Sequence, residues 1–371
     1  TIVNNTHNSI VNGEQHSESN GTNNAHFGKS VNSTASINSI TSGNDNHLHT
    51  AKESVIFGIS NNAINVEHSM TVGKDNKVRD ASGSMLFGNN NDVSGSSIEG
   101  LITGKSNLEF NGKQNLIAGK ANNVKNSSSS LIQGVSHVVL DGSNNVSFGE
   151  NNQLTRNKGS LSFGRKNILT DVSNTVVLGS HNNILNNTTG GLTSGYLNNV
   201  NKGLRNTTLG ETNDIDNGVN NLTSGQNNTV KDGSNNLALG YNNNIVNNVN
   251  SIASGKSNDV SGNNQVAVIG ESNDVSGNTN NTIVSGKLNK EFKGNENAIF
   301  GNANDISNSN MNVVSGLSNT LLNNEKGIVG GTNNNSINNT NTVVNGTLIS
   351  SKHNNQMIIS GKLSDICGNE N

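Results

Sequence analysis

Few residues of this chain are of the types that do chemistry, and their spacing does not gather them. His47 and His49 lie two apart, so on a strand both point to one face. Two imidazoles without an acidic or thiol companion make a weak metal site, and a solvated pair is the expected reading. Gly190-Gly191 and Gly330-Gly331 lack the aspartate that follows in the calcium-binding nonapeptide. No P-loop, dinucleotide fingerprint, HExxH or CxxC occurs. Cys367 is the single cysteine, which excludes an intrachain disulfide framework and a multi-cysteine metal site. The acids read as scattered over return loops with no paired carboxylate column, which counts against a carbohydrate-cleaving β-helix. Net charge is −3 and no basic stripe interleaves with aromatics, so nucleic acid is not an expected partner. No catalytic, cofactor-binding or metal-ligating residue is expected, and the chain does not read as an enzyme.

A framework must still position whatever the chain presents, and its glycines mark one out. Glycine returns every fifteen residues at Gly13, Gly28, Gly43, Gly58, Gly73 and Gly88. A sixteen-residue step leads to Gly104, and fifteens resume to Gly179. Further sixteen-residue steps reach Gly195 and Gly286, with fifteens between them and onward to Gly361. The series has twenty-four members, which leaves no room for a separate globular domain. A fixed short period is the signature of a solenoid. Gly13, Gly104, Gly195 and Gly286 are each ninety-one residues apart, so six rungs plus one residue repeat as a block, as duplication of that unit would give.

The columns around the glycine assign each rung its parts. Three residues before it the side chain is apolar (Ile40, Val55, Met85, Leu101, Leu116) and is expected to line the dry centre of the coil. Two before it the column is often apolar too (Ile56, Leu86, Ile102, Ile117, Val284). Strand neighbours point to opposite faces, so a strand apolar on both is expected to be buried on both, one face inside the coil and the other against a partner chain. One before it, size alternates: Leu209, Leu239, Ile269 and Phe300 interleave with Ser224, Ser254 and Ser285. Six of the eight phenylalanines fall in this column, which reads as core packing. Five after it an aliphatic returns (Leu48, Val78, Val124, Ile184, Ile245) and marks a second short strand. Phe110 and Phe292, six after their glycines, are expected to fill the coil. Three after it stands asparagine (Asn61, Asn76, Asn91, Asn107, Asn122), with His16, Val31, His137, Ile349 and Ser364 as exceptions. Stacked amides bond to one another along a ladder, and asparagine tolerates left-handed turn backbone. Each rung therefore reads as a strand, a glycine-started turn, a second strand and a polar return, with glycines mostly at corners. No window sustains a helical period.

Apolar content of 29% and aromatic content of 3% are too low for a conventional core. Such a composition would ordinarily read as disorder, but a disordered chain has no reason to keep a strict register. The absence of proline suits a ladder in which every backbone N–H is used. The fold class is thus all-β, a parallel solenoid of about 24 rungs.

The pattern S/N-[LIV]-x-x-G-x-x-N-x-[VIL] is carried by Ser251-Ile252-Ala253-Ser254-Gly255-Lys256-Ser257-Asn258-Asp259-Val260 and by Asn297-Ala298-Ile299-Phe300-Gly301-Asn302-Ala303-Asn304-Asp305-Ile306. Over nearly the whole chain it resembles the head repeats of trimeric autotransporter adhesins. The resemblance implies a left-handed parallel β-roll, a homotrimer of three chains sharing one axis, and an extracellular position at the bacterial outer membrane. It further implies a host cell-surface or extracellular-matrix protein as partner and no cofactor. The richness in asparagine is similar to that of fusobacterial members, including the adhesin that recognises CEACAM receptors. The repeat is slightly longer than is usual in that family. Residues 1–371 read as a single repeat domain, irregular at His16 and Val31 as a capping end would be. The neck, stalk and membrane anchor are expected outside this piece, and no apolar stretch here approaches membrane-spanning length.

Protein contacts favour exposed aromatic and large apolar anchors. Tyr196 and Tyr241, the only tyrosines, follow their glycines at a position that is otherwise mostly polar (Lys105, Glu150, Arg165, Lys256), and Leu197 stands beside the first. These three are the expected partner-binding residues. The leading reading is a non-enzymatic adhesin head. The alternatives are a self-associating surface filament and an ice- or polymer-binding solenoid. The last needs a regular threonine ladder, whereas Thr71, Thr193, Thr208 and Thr223 are scattered.

Overall fold

The computed structural model describes residues 1–368; the last three residues of the 1–371 span lie outside them. The chain divides into two compact units, Thr1–Asn187 and Thr188–Asn371. Each is a parallel β-solenoid holding twelve of the column glycines, about 24 turns in all, with no helix among the described residues.

Residues 116–130 show how one turn closes. The strand Leu116–Lys120 forms the first side and Asn123–Lys125 the second, and Ser128 alone bridges on the third. Three left-handed residues make the corners: Ala121 at φ 57°, Asn126 at 49° and Ser129 at 52°. The next turn stacks in register, Leu116 on Leu131, Gly119 on Gly134, Asn123 on Val138 and Ser128 on Ser143. Corner positions elsewhere are filled mainly by Asn, Asp and Ser, the residues that enter left-handed backbone most cheaply after glycine. This corrects the expected turn chemistry. The column glycines lie inside the first-side strands, not at corners, and the left-handed residue is the one before each column asparagine, not the asparagine.

The column glycines answer a different demand. Gly119 has φ +117°, a region essentially closed to other residues. A Cβ placed there would sit 2.0 Å from the carbonyl oxygen of Gly134 in the next turn. The same collision, at 1.8–2.1 Å, recurs at Gly58, Gly73, Gly210, Gly240 and Gly301. The turns approach so closely here that no side chain fits between them.

That approach brings the column asparagines into bonding range. The Asn122 Nδ2 group donates to Asn107 Oδ1 at 3.0 Å, and to the carbonyls of Ala118 and Gly134 at 3.1 Å each. Asn122 Oδ1 accepts from the backbone N–H of His137 at 3.0 Å. Buried amides thus bond up and down the ladder, as expected of stacked asparagines. His137 takes one place in this column with its imidazole. Nδ1 accepts from the Asn152 N–H at 3.3 Å, and that fixes Nε2–H as the donor to the Gln133 carbonyl at 3.1 Å.

The core also differs from expectation in which face it occupies. The column two before the glycine points inward and is fully buried at Ile56, Leu86, Ile102, Ile117, Val268 and Val284. The column five after it joins it at Leu48, Val78, Val124, Ile215 and Ile306. The column three before the glycine, expected inside, points outward, and the column one before it shares that outer face with its phenylalanines. Both strand faces are apolar as the sequence requires, with inside and outside exchanged.

A Gly119→Ala substitution is expected to cost about 3 kcal/mol or more, the sum of backbone strain and overpacking. At Gly262, a left-handed corner at φ +68° whose nearest neighbour to a Cβ is 3.9 Å away, the same change is expected to cost only about 1 kcal/mol. Urea midpoints of the two variants check the contrast.

Candidate functional site

The outer face of the first side is where each unit presents apolar surface. Exposure there reaches 43% at Ile40, 47% at Met85, 48% at Ile283 and 51% at Ile328. The column nearer the glycine adds Phe27, Phe57, Leu178, Ile269 and Phe300, all exposed, and Phe148 stacks on Phe163 with ring centroids 5.1 Å apart. Within one strand the two outward positions trade volume. Phe27 stands with Ala25, Ile269 with Ala267 and Phe300 with Ala298, whereas Ser42 stands with Ile40, Ala118 with Leu116 and Ser285 with Ile283. Along the ladder Phe300 lies between Ser285 and Ser315. The result is a checkerboard of large and small residues. Val55–Phe57, Met70–Val72, Met85–Phe87, Val146–Phe148, Leu161–Phe163 and Val176–Leu178 in the first unit, and Leu237–Leu239 in the second, are exceptions with two large residues in one strand, so the pattern is clearest in the second unit.

Tyr196, Leu197 and Tyr241 lie along one edge of this face in the second unit, each 44% exposed. The register places Glu211 and Gln226 between the tyrosines, which are therefore three turns or about 14 Å apart on strand spacing and not in contact. Leu197 occupies a left-handed corner at φ 54°, a conformation that costs a non-glycine residue about 1–2 kcal/mol. Leucine has no side-chain acceptor with which to offset it, unlike the Asn, Asp and Ser used at most corners.

His47 and His49 share the outer face of the strand His47–Lys52, as their spacing requires. Burial, and then the neighbouring His49, hold the His47 imidazole below its ordinary value. Among the described residues no three His, Cys, Asp or Glu side chains gather in a way that holds a metal ion. Ion pairs one turn apart, such as Lys52 with Glu67 at 2.7 Å and Arg156 with Asp171 at 2.6 Å, are surface features that add little to stability.

The acids are not all on loops, and this the sequence reading missed. Glu18, Glu109 and Glu291 point inward and are buried, in the column five after the glycine that is otherwise mostly aliphatic. Glu109 Oε1 accepts from Asn115 Nδ2 at 2.8 Å and Glu291 Oε1 from Asn297 Nδ2 at 2.6 Å, while Oε2 of each has no partner. Glu18 accepts from Ser9 and Asn24, with His26 Nε2 at 3.7 Å. Their ninety-one-residue relation was the available signal, because each holds the same place in its block.

The same places explain Phe110 and Phe292. The turn before each is sixteen residues long and spends its extra residue at the second corner, with two left-handed residues in succession, Gly95 and Ser96 or Gly277 and Asn278. The phenylalanine of the next turn lies against that glycine, where a Cβ would meet the Phe110 ring at 2.6 Å or the Phe292 ring at 2.8 Å. Both rings remain exposed on the outer face and do not fill the coil. The interior is filled instead by the glutamate beside each.

No protein-family model matches the chain, and no curated protein matches it.

Replacing Leu197 by Asn is expected to raise stability by about 1 kcal/mol by relieving the left-handed strain. A urea midpoint that is unchanged or lower would show that Leu197 is held there by packing within the unit.

Proposed function

We propose that this chain is the head of a trimeric bacterial surface adhesin, a non-enzymatic scaffold that displays contact residues to host cell-surface or matrix proteins. The observation that carries the reading is the apolar face on the outer side of the first strands, on which large and small side chains interleave in most strands of the second unit. Interleaving of large and small side chains is the requirement of a face that packs at interior density. A face meeting only water has no such requirement, and a patch this continuous is rarely left exposed on a monomer. A second and a third copy, each offering the same face, form the occupant that fits a shared axis.

Tyr196, Leu197 and Tyr241 border that face, and they are the proposed host-contact residues, with CEACAM receptors among the partners. The observation favouring a self-associating filament is the same apolar face, and flow-cell adhesion to receptor-coated against bare surfaces separates the two. The ice-binding reading loses its basis, because Thr71, Thr193, Thr208 and Thr223 are buried inside the coil.

Sedimentation equilibrium of the purified chain is expected to give three times the chain mass, and Ile283→Asp with Ile328→Asp to dissociate it without loss of β-structure. A well-folded single chain in dilute buffer overturns the trimer. In a panel of host surface and matrix proteins, Tyr196→Ser with Tyr241→Ser is expected to weaken capture tenfold or more, as loss of central aromatic anchors does. Unchanged capture removes the tyrosines from the contact.

A further inference from the structure

We propose that Glu109 and Glu291 are proton-binding sites built into the coil, each carried as a neutral carboxylic acid, and that release of the proton loosens the turn that holds it. Each side chain crosses the inside of its own turn. Gly112 and Gly294 make the room: a Cβ there would lie 2.0 Å from Glu109 Oε1 or 1.6 Å from Glu291 Oε1. Neither acid is on a surface where water could solvate a charge, at 0% and 1% exposure. One amide donor is too little to hold a carboxylate in such a place, and its two hydrogens are shared. Asn115 also donates to the Ser127 carbonyl at 2.8 Å, and Asn297 to that of Ser309 at 2.6 Å. A buried carboxylate without a cation or several donors gives up its charge.

The surrounding charges do not supply that cation. Around Glu109 the inward neighbours are Val93 in the turn before, Val124 in the turn after and Ile102 in its own. The titratable groups on the same elements, Asp92, Lys105, Lys113 and Lys125, sit on the outer sides of their strands, and Glu99 is at a corner. Around Glu291 the inward neighbours are Val275, Ile306 and Val284. Asp274, Lys287, Lys290 and Asp305 lie outward, with Lys293 and Glu296 at corners. Burial pushes the Glu109 carboxyl up to about 7 against the pull of Asn115. Burial, with Asp305 assisting, pushes that of Glu291 up to about 8 against the pull of Asn297.

The direction of the pH effect follows. Below the ordinary carboxylate value both folded and unfolded chains hold the proton, and the acids cost nothing. As pH rises from about 4.5 toward 7 for Glu109, or 8 for Glu291, the unfolded chain releases its proton while the folded chain keeps it, so stability falls. Above those values the loss levels off. Each pH unit inside the window lowers the local folding constant about tenfold per acid.

The chain carries its own control. Val200 holds the same place in the third block, with Gly203 and Asn206 at the positions of Gly112 and Asn115. It is buried, and Asn206 donates to the Gly218 carbonyl at 2.8 Å without a carboxyl beside it. Glu109→Val and Glu291→Val are therefore expected to fold.

Hydrogen exchange read by mass spectrometry between pH 5 and 8.5, corrected for intrinsic rates, tests the proposal. In the wild type, peptides covering residues 93–124 and 275–306 are expected to lose protection with rising pH, by on the order of a hundredfold in opening constant around Glu109 and about a thousandfold around Glu291 over the window. In E109V/E291V and in E109Q/E291Q that loss is expected to vanish while peptides elsewhere are unchanged. The buried His137, whose value burial lowers, works in the opposite direction below neutral pH and cancels in the comparison. Parallel pH profiles in wild type and the Val variant overturn the proposal, as does wild-type protection in these peptides that stays flat with pH.

Discussion

The constraint on which the rest depends is the distance between successive glycines of the column. Where Gly119 faces Gly134, no Cβ fits, and the backbones close to a separation that only glycine permits. The amide of Asn122 can then reach the Gly134 carbonyl, and the ladder of asparagines is satisfied by its neighbours instead of by water. A coil whose turns supply at most about three inward apolar residues apiece, and more often two, has little hydrophobic burial to rely on. It compensates with saturated hydrogen bonding along three corners, and that explains how a chain with mean hydropathy of −0.55 holds a single register.

Period, strand class and amide ladder were legible because each repeats two dozen times, and repetition separates a required residue from a tolerated one. The assignment of inside and outside was not. When positions two and three before the glycine are both apolar, alternation says that they oppose each other but not which faces the axis. Ile56 and Val55 are interchangeable on that evidence; only closure of the turn decides that Ile56 is enclosed. The glycines were misplaced for a related reason. Positive φ suits a corner and a close backbone approach equally, and the corners here were already supplied by residues such as Asn126 and Ser129. Glu109 and Glu291 were overlooked because an acid reads as solvated by default. Their place among valines and isoleucines contradicts that default, and Phe110 and Phe292, the bulkier neighbours, drew the interior assignment instead.

The candidate site is thus of a different kind from a cleft with convergent groups. The outer checkerboard, the tyrosine edge and the strained Leu197 are properties of a surface, arrayed on a scaffold whose interior decides their spacing. The buried acids belong to that interior, and they tie it to the proton concentration outside without touching the displayed residues.

The register has a consequence for inheritance. Among the described residues every strand pairing sets side by side residues fifteen apart, or sixteen across a widened corner, so each turn pairs with the turn before and the turn after. Gain or loss of a whole ninety-one-residue block by unequal recombination leaves every surviving turn with a neighbour of the kind it had. Loss of a single residue within a strand would bring a residue with a side chain opposite a column glycine, where none fits. Such a sequence can therefore change length in the gene by large steps more safely than by small ones.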